Sequence, residues 1–326
     1  MFAVEISCIG PPNVLKVVER PKPVAKKNEV VIHVEAAGVA RADVLQRQGK
    51  YPPPPGASDI PGLDVAGFID SVGEDVQYWR NGDHVCAIVP GGGYAEFCAV
   101  PAVQVLPVPQ GWNSIEATAL PENLFVVYDN LITRAGLTQG ETVLIHGGTS
   151  GVGSAAIMLS RARGAIPFAT AGSLKKCEAC IYFGAEDAIN YKERDFVTQV
   201  KRVIEGAGVN VVLDMVGGPY LDRNLDALAP EGRLTIVAPE GNPDGKLDIG
   251  KLMAKRLHIS GSTMRARSIE QKGLIAQRLL RDVWPLLSAK RVIRPIIDST
   301  FSLQEARLAH ERIECEDHIG KIVIVT

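Results

Sequence analysis

Between Glu141 and Arg163 the chain reads ETVLIHGGTSGVGSAAIMLSRAR, and this stretch limits the fold more than any other. Val143, Leu144 and Ile145 form the short apolar run that a buried parallel strand needs. Gly147-Gly148-Thr149-Ser150-Gly151-Val152-Gly153 follows as a tight turn. Ala155, Ala156, Ile157 and Leu159 then recur in a helical pattern. Strand, glycine turn and helix open a βαβ unit of the dinucleotide-binding kind. Free amides and the dipole at a helix start favour an anion, so a pyrophosphate fits there. The fingerprint is a variant of G-x-G-x-x-G: Gly148 and Gly153 take the outer glycines and Ser150 the middle one. A plain tight turn satisfies such a match too, so its context has to decide.

That context is a change of pattern along the chain. Up to about residue 120 the sequence is strand-like, at Phe2–Ile6, Leu15–Glu19, Glu29–Ala37, Val65–Val72, His84–Val89, Ala95–Val100 and Val103–Val105. Proline and glycine turns separate these segments, as in a small barrel-like domain. One helical turn, Ala40–Gln48, interrupts them, and a proline run, Pro52–Pro55, stiffens the loop that carries Tyr51. Ser114–Arg134 reads as helix broken at Pro121-Glu122, with Ser114 as its N-cap. From Glu141 strands alternate with helices: Thr142–His146, Ile166–Ala171, Asp187–Asn190, Val209–Met215, Gly232–Ala238 and Leu257–Ser260 against Gly153–Arg163, Leu174–Phe183, Phe196–Glu205 and Tyr220–Ala227. This alternation predicts an α/β domain with a doubly wound parallel Rossmann sheet. Ser268–Ser288 reads as one long helix. Strand-like Val292–Ile297 and Ile319–Val325 return to the first domain. The expected division is 1–121, 122–266 and 267–326.

A net charge of −2 over 326 residues argues against a nucleic-acid surface. No apolar run reaches membrane-spanning length and the first residues do not form a signal peptide, so a cytoplasmic protein with no membrane partner is expected. The six cysteines are scattered. Cys177 and Cys180 form a C-x-x-C, but inside a helical stretch and with no second pair, so two helix-face cysteines are expected rather than a redox or zinc site.

An NAD-preferring fold carries a carboxylate at the end of its second strand, to bind the ribose 2′-hydroxyl. Here that stretch is Ala169-Thr170-Ala171-Gly172-Ser173-Leu174-Lys175-Lys176, with no carboxylate before Glu178. A hydroxyl and two lysines would hold a 2′-phosphate, which points to NADPH over NADH.

The chain resembles the medium-chain dehydrogenase/reductase superfamily and, within it, the zinc-free quinone oxidoreductases, closest to the p53-inducible quinone oxidoreductase-like proteins. The resemblance rests on Arg41–Tyr51, Pro53–Ser58, Pro90–Gly93, Leu144–His146, Ser150–Gly153, Thr170–Ser173 and Ile319–Val323, and it spans nearly the whole length. It implies that the first domain is a GroES-like barrel. It also implies a homodimeric NADPH-dependent reductase of quinones or other flat electrophiles. Ser150, Gly151, Val152 and Gly153 match the pyrophosphate turn. Gly172, Ser173, Lys176 and Tyr191 match the 2′-phosphate corner. Ser262, Met264, Arg265 and His318 match regions closing over the nicotinamide half, and Tyr51 matches an active-site tyrosine beside it. Ala40, Tyr51, Leu63 and Val126 fall at substrate-pocket positions.

Zinc-dependent relatives need Cys and His ligands in the cleft. Their places here read Ala40-Arg41-Ala42-Asp43 and Gly62-Leu63-Asp64, and no run of four close cysteines exists, so no metal is expected. Ala40 and Val126 depart from the relatives, which carry Asn and Thr there. Asp43 is expected to brace its own helix and Arg41 to pair with Asp64. His33, His84, His146, His258 and His310 share no ligand spacing and are read as structural. Two other readings stand beside quinone reduction: reduction of an enone or alkenal double bond on the same scaffold, and a catalytically weak nucleotide-dependent RNA-binding relative.

Overall fold

A computed structural model describes residues 1–238, 243–290 and 293–326. In chain order the strands are β1 (Phe2–Ile6), β2 (Leu15–Glu19), β3 (Glu29–Val39), β4 (Asp64–Val72), β5 (His84–Ile88), β6 (Phe97–Pro101), β7 (Val105–Pro107), β8 (Thr142–Ile145), β9 (Ile166–Ala171), β10 (Asp187–Asn190), β11 (Val209–Asp214), β12 (Leu228–Ile236), β13 (His258–Gly261), β14 (Ile297–Ser302) and β15 (Lys321–Val325). The chain divides into two units, Met1–Phe125 with Arg265–Thr326, and Val126–Met264.

The second unit is a parallel sheet in the order β10-β9-β8-β11-β12-β13. The first strand lies in the middle and the order reverses beside it, between β8 and β11, the switch point at which such sheets bind ligands. Leu144, Phe168, Ile189, Val212 and Leu234 fill its core. This is the doubly wound Rossmann sheet that the alternation predicts.

The first unit is the β-rich, GroES-like one. Its main sheet runs β14-β15-β3-β4-β5-β7, with β6 also on β3, and β1 pairs β2 separately. The 11-residue strand β3 organises it: one part pairs β6 and another pairs β15. Antiparallel pairing of Ile322 with Val39 and Val325 with Ala36 brings the C-terminal strand into this sheet. Asp298 fastens it. Its carboxylate accepts a fork from Arg312 (2.8 and 2.9 Å) and the Ile319 amide (3.0 Å). Burial opposes the charge, but these bonds win and draw the carboxyl down to about 2. A depressed acid contributes stability above its unfolded pKa and loses it as pH falls through the folded value. Asp298→Asn is therefore expected to cost about 2 kcal/mol in urea unfolding at pH 7 and almost nothing near pH 2.

Several local expectations are corrected. Asn113, not Ser114, caps the helix Ser114–Ala117, accepting from the Glu116 amide at 2.9 Å. The stretch to Arg134 is three pieces, Ser114–Ala117, Pro121–Val127 and a π-helical Tyr128–Arg134. Ala102–Gln104 is a 3-10 turn, so the strand there is Val105–Pro107. The long helix is two, Ile269–Asp282 and Trp284–Lys290, because Pro285 has no amide for the Arg281 carbonyl. Of the strand expected over 292–297, residue 292 lies outside the described residues and the strand itself is Ile297–Ser302. The helix Ala306–Glu314 was not foreseen.

Candidate nucleotide and reductase site

At the end of β8 the chain turns through Gly147, whose φ of +65° suits glycine. Ser150 then caps the helix Gly151–Ala162, its Oγ accepting from the Gly153 amide at 3.0 Å. A Cβ on Gly153 would stand 2.1 Å from the Gly147 carbonyl oxygen, so only glycine lets the helix start lie on the turn. Cys180 Sγ lies 2.6 Å from where a Cβ on Gly148 would be. Cys177 and Cys180 are both buried, and burial pushes the Cys180 thiol up to about 12. Both lie on the buried side of the helix Leu174–Tyr182, as two helix-face cysteines, and Cys180 packs against the turn.

A buried polar chain underlies this turn. Asn224 Nδ2 donates to Asp214 (3.1 Å), so its Oδ1 faces His146 Nε2 (2.8 Å) and Nε2 carries the proton. Nδ1 then accepts from the Thr170 hydroxyl at 3.0 Å. Burial lowers the pKa of His146, which stays neutral. Asp214 also takes the amides of Val216 and Gly217. The ends of β8, β9 and β11 are thus tied together around the turn. His146 and His310 have structural partners, but the His146–Asn224 pairing, 78 residues apart, has no local sequence signal.

The second corner follows β9. Ser173 caps the helix Leu174–Tyr182, its Oγ accepting from the Lys176 amide at 3.3 Å. Tyr191 follows β10, and its amide donates to the Ala171 carbonyl (3.1 Å). Its hydroxyl stands 3.0 Å from where a Cβ on Gly172 would be. Gly172, Ser173, Tyr191 and the Lys176 amide therefore meet at one corner of the second unit, with the Lys192 side chain 3.5 Å from where a Cβ on Gly172 would be. Val126 and Ser262 are joined through Asn130, which donates to the Val126 carbonyl (2.9 Å) and accepts from Ser262 Oγ (2.8 Å) and Thr235 Oγ1 (2.9 Å). Met264 is buried at the end of that unit.

In the first unit Asp43 ties the backbone of Ala40 to that of Gly62, next to Leu63. It accepts from the amides of Ala40 (2.8 Å) and Gly62 (2.9 Å) and from the Tyr94 hydroxyl (3.1 Å). It braces its helix, as expected, and also holds the backbone beside Leu63. Burial raises its carboxyl to about 6 against the two amide bonds. The chain continues through Tyr94 to His310 Nε2 (3.2 Å) and from His310 Nδ1 to Arg47 (3.3 Å). Burial and Arg47 bring His310 down to about 3, so it too is neutral.

The expected pair of Arg41 with Asp64 does not form. Arg41 lies 3.9 Å from Glu316, and Asp64 takes the Lys321 ammonium at 2.6 Å and the Glu122 amide at 2.6 Å. Lys321 reaches Glu122 as well, at 3.1 Å. A buried lysine is a nearer and better-enclosed counter-ion than a half-exposed arginine.

Tyr51 is half-buried. Arg265 donates to its carbonyl at 3.1 Å, to Pro90 O at 2.7 Å and to Gln46 Oε1 at 2.6 Å. Burial raises the Tyr51 phenol, and the Arg265 cation acts in the opposite sense. His318 is half-buried beside Ile319. Where a zinc enzyme needs lone pairs, Ala40 and Leu63 offer only alkyl groups. Among the described residues no group of three or more His, Cys, Asp or Glu side chains is placed to hold a metal ion.

A Rossmann sheet with a glycine turn at its switch point, joined to a GroES-like β domain, defines a medium-chain dehydrogenase/reductase fold. Two family models match: alcohol dehydrogenase GroES-like domain over residues 26–110 and zinc-binding dehydrogenase over 151–278. The quinone oxidoreductase of Mus musculus is 32% identical over 330 residues, covering 100% of this chain and 98% of the relative. The crystal structure of Escherichia coli quinone oxidoreductase complexed with NADPH aligns with a TM-score of 0.88 at 27% identity, covering 100% of both chains. The CurK enoyl reductase structure aligns with a TM-score of 0.87 at 26% identity, covering 99% of this chain and 98% of that one. The chain belongs to the quinone oxidoreductase family of the medium-chain dehydrogenase/reductase superfamily, and it is an oxidoreductase.

Proposed function

We propose that this protein is an NADPH-dependent quinone reductase that works without a metal. The observation that carries this reading is the corner formed by Gly172, Ser173, Lys176 and Tyr191. A Cβ at Gly172 would close on the Tyr191 hydroxyl and the Lys192 side chain, the Ser173 hydroxyl caps the helix that follows, and the run from Ala169 to Lys176 carries no carboxylate. Such a donor set suits a phosphate dianion and has nothing to repel it. Ser150, Gly151, Val152 and Gly153 would hold the pyrophosphate at the helix start.

When bound, the reduced nicotinamide supplies the hydride. The chain's own work is position and charge. Asp43 fixes the backbone at Ala40 and Gly62, and with it the apolar wall that includes Leu63. Ala40, beside Leu63 on that wall, brings no polar group, which favours a flat apolar acceptor. Tyr51 would donate a hydrogen bond to the oxygen on which charge develops.

With 1,4-benzoquinone, NADPH oxidation is expected to exceed NADH oxidation at least tenfold, and Tyr51→Phe to lower kcat about tenfold. Equal rates with both coenzymes would remove the 2′-phosphate reading, and an unaffected Tyr51→Phe would remove the phenol's role. The CurK neighbour favours a second reading, reduction of an enone or alkenal. Alkenal turnover above quinone turnover in the same assay would select it.

A homodimer belongs to the same proposal. Strand β13 has a sheet neighbour on one side only, β12, among the described residues. Light scattering should then give twice the chain mass of 35.0 kDa, and a monomer would contradict it. No helix among the described residues is long and apolar enough to cross a membrane.

A further inference from the structure

Resemblance puts Arg265 among the coenzyme contacts, but its surroundings point elsewhere. Arg265 is 4% exposed, and its three nitrogens each donate to a different segment of the first unit: Nε to the Pro90 carbonyl that opens the glycine turn, Nη1 to the Tyr51 carbonyl in the proline loop, and Nη2 to the Gln46 side chain in the helix Arg41–Arg47. Its guanidinium carbon lies 5.4 Å from the centre of the Tyr51 ring, within cation–π range. Lys272, 3% exposed on the helix Ile269–Asp282, donates to the Arg265 carbonyl at 2.8 Å.

Among the described residues both cations hydrogen-bond only to neutral oxygens. A buried cation without an anionic partner is costly, and a neutral amide could make some of the same bonds without that cost. Two groups feel the Arg265 charge: Asp43, which is already held by two amides and the Tyr94 hydroxyl, and the Tyr51 phenol, whose ring lies beside the guanidinium and which also feels Glu122.

We propose that Arg265 is a positioning residue for Tyr51: it pins the loop that carries the ring, and its charge favours release of the phenolic proton to the reduced acceptor. The proposal rests on the reading of Tyr51 given above. Hydride addition to a quinone, with reduced nicotinamide as the donor, leaves a hydroquinone monoanion. The Tyr51 O–H bond breaks and a new O–H bond forms on the acceptor oxygen. The electron pair stays on the Tyr51 oxygen, near the Arg265 cation, until water returns a proton. Lys272 takes part indirectly, by holding the Arg265 backbone.

The test compares the parent with Arg265→Gln, Arg265→Lys, Tyr51→Phe and the double variant Tyr51→Phe/Arg265→Gln. In the resting protein labelled with 13Cζ-tyrosine, Tyr51→Phe assigns the Tyr51 signal. Arg265→Gln should move that signal and leave the other tyrosines in place. In NADPH:benzoquinone turnover, Arg265→Gln should lower kcat about tenfold with the KM for NADPH unchanged, and should add less than about twofold on top of Tyr51→Phe. Its kcat should fall off at higher pH than the parent's. Arg265→Lys, which keeps the charge but not the fork, should recover part of kcat.

An unmoved Tyr51 signal overturns the proposal. So does a rise in the NADPH KM that is equal with and without Tyr51, since that marks a direct coenzyme contact. If Tyr51→Phe is fully active, the proton-transfer half falls together with the reading beneath it, and the tyrosine signal still decides whether Arg265 holds the ring. If Arg265→Gln does not fold, Arg265→Lys carries the spectral comparison under the same criterion.

Discussion

Gly153→Ala is expected to weaken coenzyme binding roughly a hundredfold while leaving most of the fold standing. The added methyl would sit 2.1 Å from the Gly147 carbonyl oxygen and 2.9 Å from the Gly148 Cα. Both are backbone atoms, so no rotamer change relieves the clash. The helix start must lift off the turn, which costs about 3 kcal/mol of stability by overpacking. The larger effect is on the amides. With the helix start displaced, at least two charge-assisted bonds to a pyrophosphate are lost, which weakens NADPH binding roughly a hundredfold. Fluorescence titration with NADPH, beside urea unfolding, measures both. Parent-like affinity would show that the phosphates lie elsewhere.

Lys321→Met is expected to give the largest loss of stability. Its ammonium is 2.6 Å from Asp64 and 3.1 Å from Glu122, and Asp64 is fully buried. A methionine leaves two close carboxylates with no cation, which costs about 3–5 kcal/mol. The cost depends on pH. Burial already raises the Asp64 carboxyl even with Lys321 in place. An acid whose folded pKa is raised favours the folded state below its unfolded pKa and loses that contribution as pH rises through the folded value. The variant should therefore lie closest to the parent near pH 5, where Asp64 takes up a proton, and fall furthest behind at pH 8. Urea midpoints across that range test this. A pH-independent difference would mean the loss is one of packing, and Asp64→Asn in the same background should then bring no recovery.

The parts of the fold that the sequence makes legible are those specified by neighbours along the chain. Periodicity locates β8 and the helix Gly151–Ala162, because a strand, four glycines and a capping serine lie within a few residues of one another. The lack of a carboxylate after β9 is also local, and the structure brings Gly172, Ser173 and Tyr191 together around it. The helix Ala306–Glu314 could have been found. Ser302 and Glu305 form a capping box, and Ala306, Ala309, His310 and Ile313 repeat at helical spacing. Its cap, Ser302, is also the last residue of β14, so the strand pattern runs into the helix without a break. Pairings across the chain were not legible. Lys321 meets Asp64 over 257 positions, and Arg265 meets Gln46 over 219. For the same reason Arg41 lies near Glu316 and not the expected Asp64, whose partner, Lys321, comes from the far end of the chain. Tyr51 could be singled out by its proline loop, but the cation beside it could not.

The central claim is that the corner of Ser173, Lys176 and Tyr191 binds a coenzyme 2′-phosphate. Parallel fluorescence titrations with NADPH and NADH, on the parent and on Ser173→Ala/Lys176→Ala, test it most directly. The account predicts that the parent binds NADPH at least about tenfold more tightly, and that the double variant loses this preference by weakening for NADPH alone. Equal affinities in the parent, or an equal loss for both coenzymes in the variant, would contradict it.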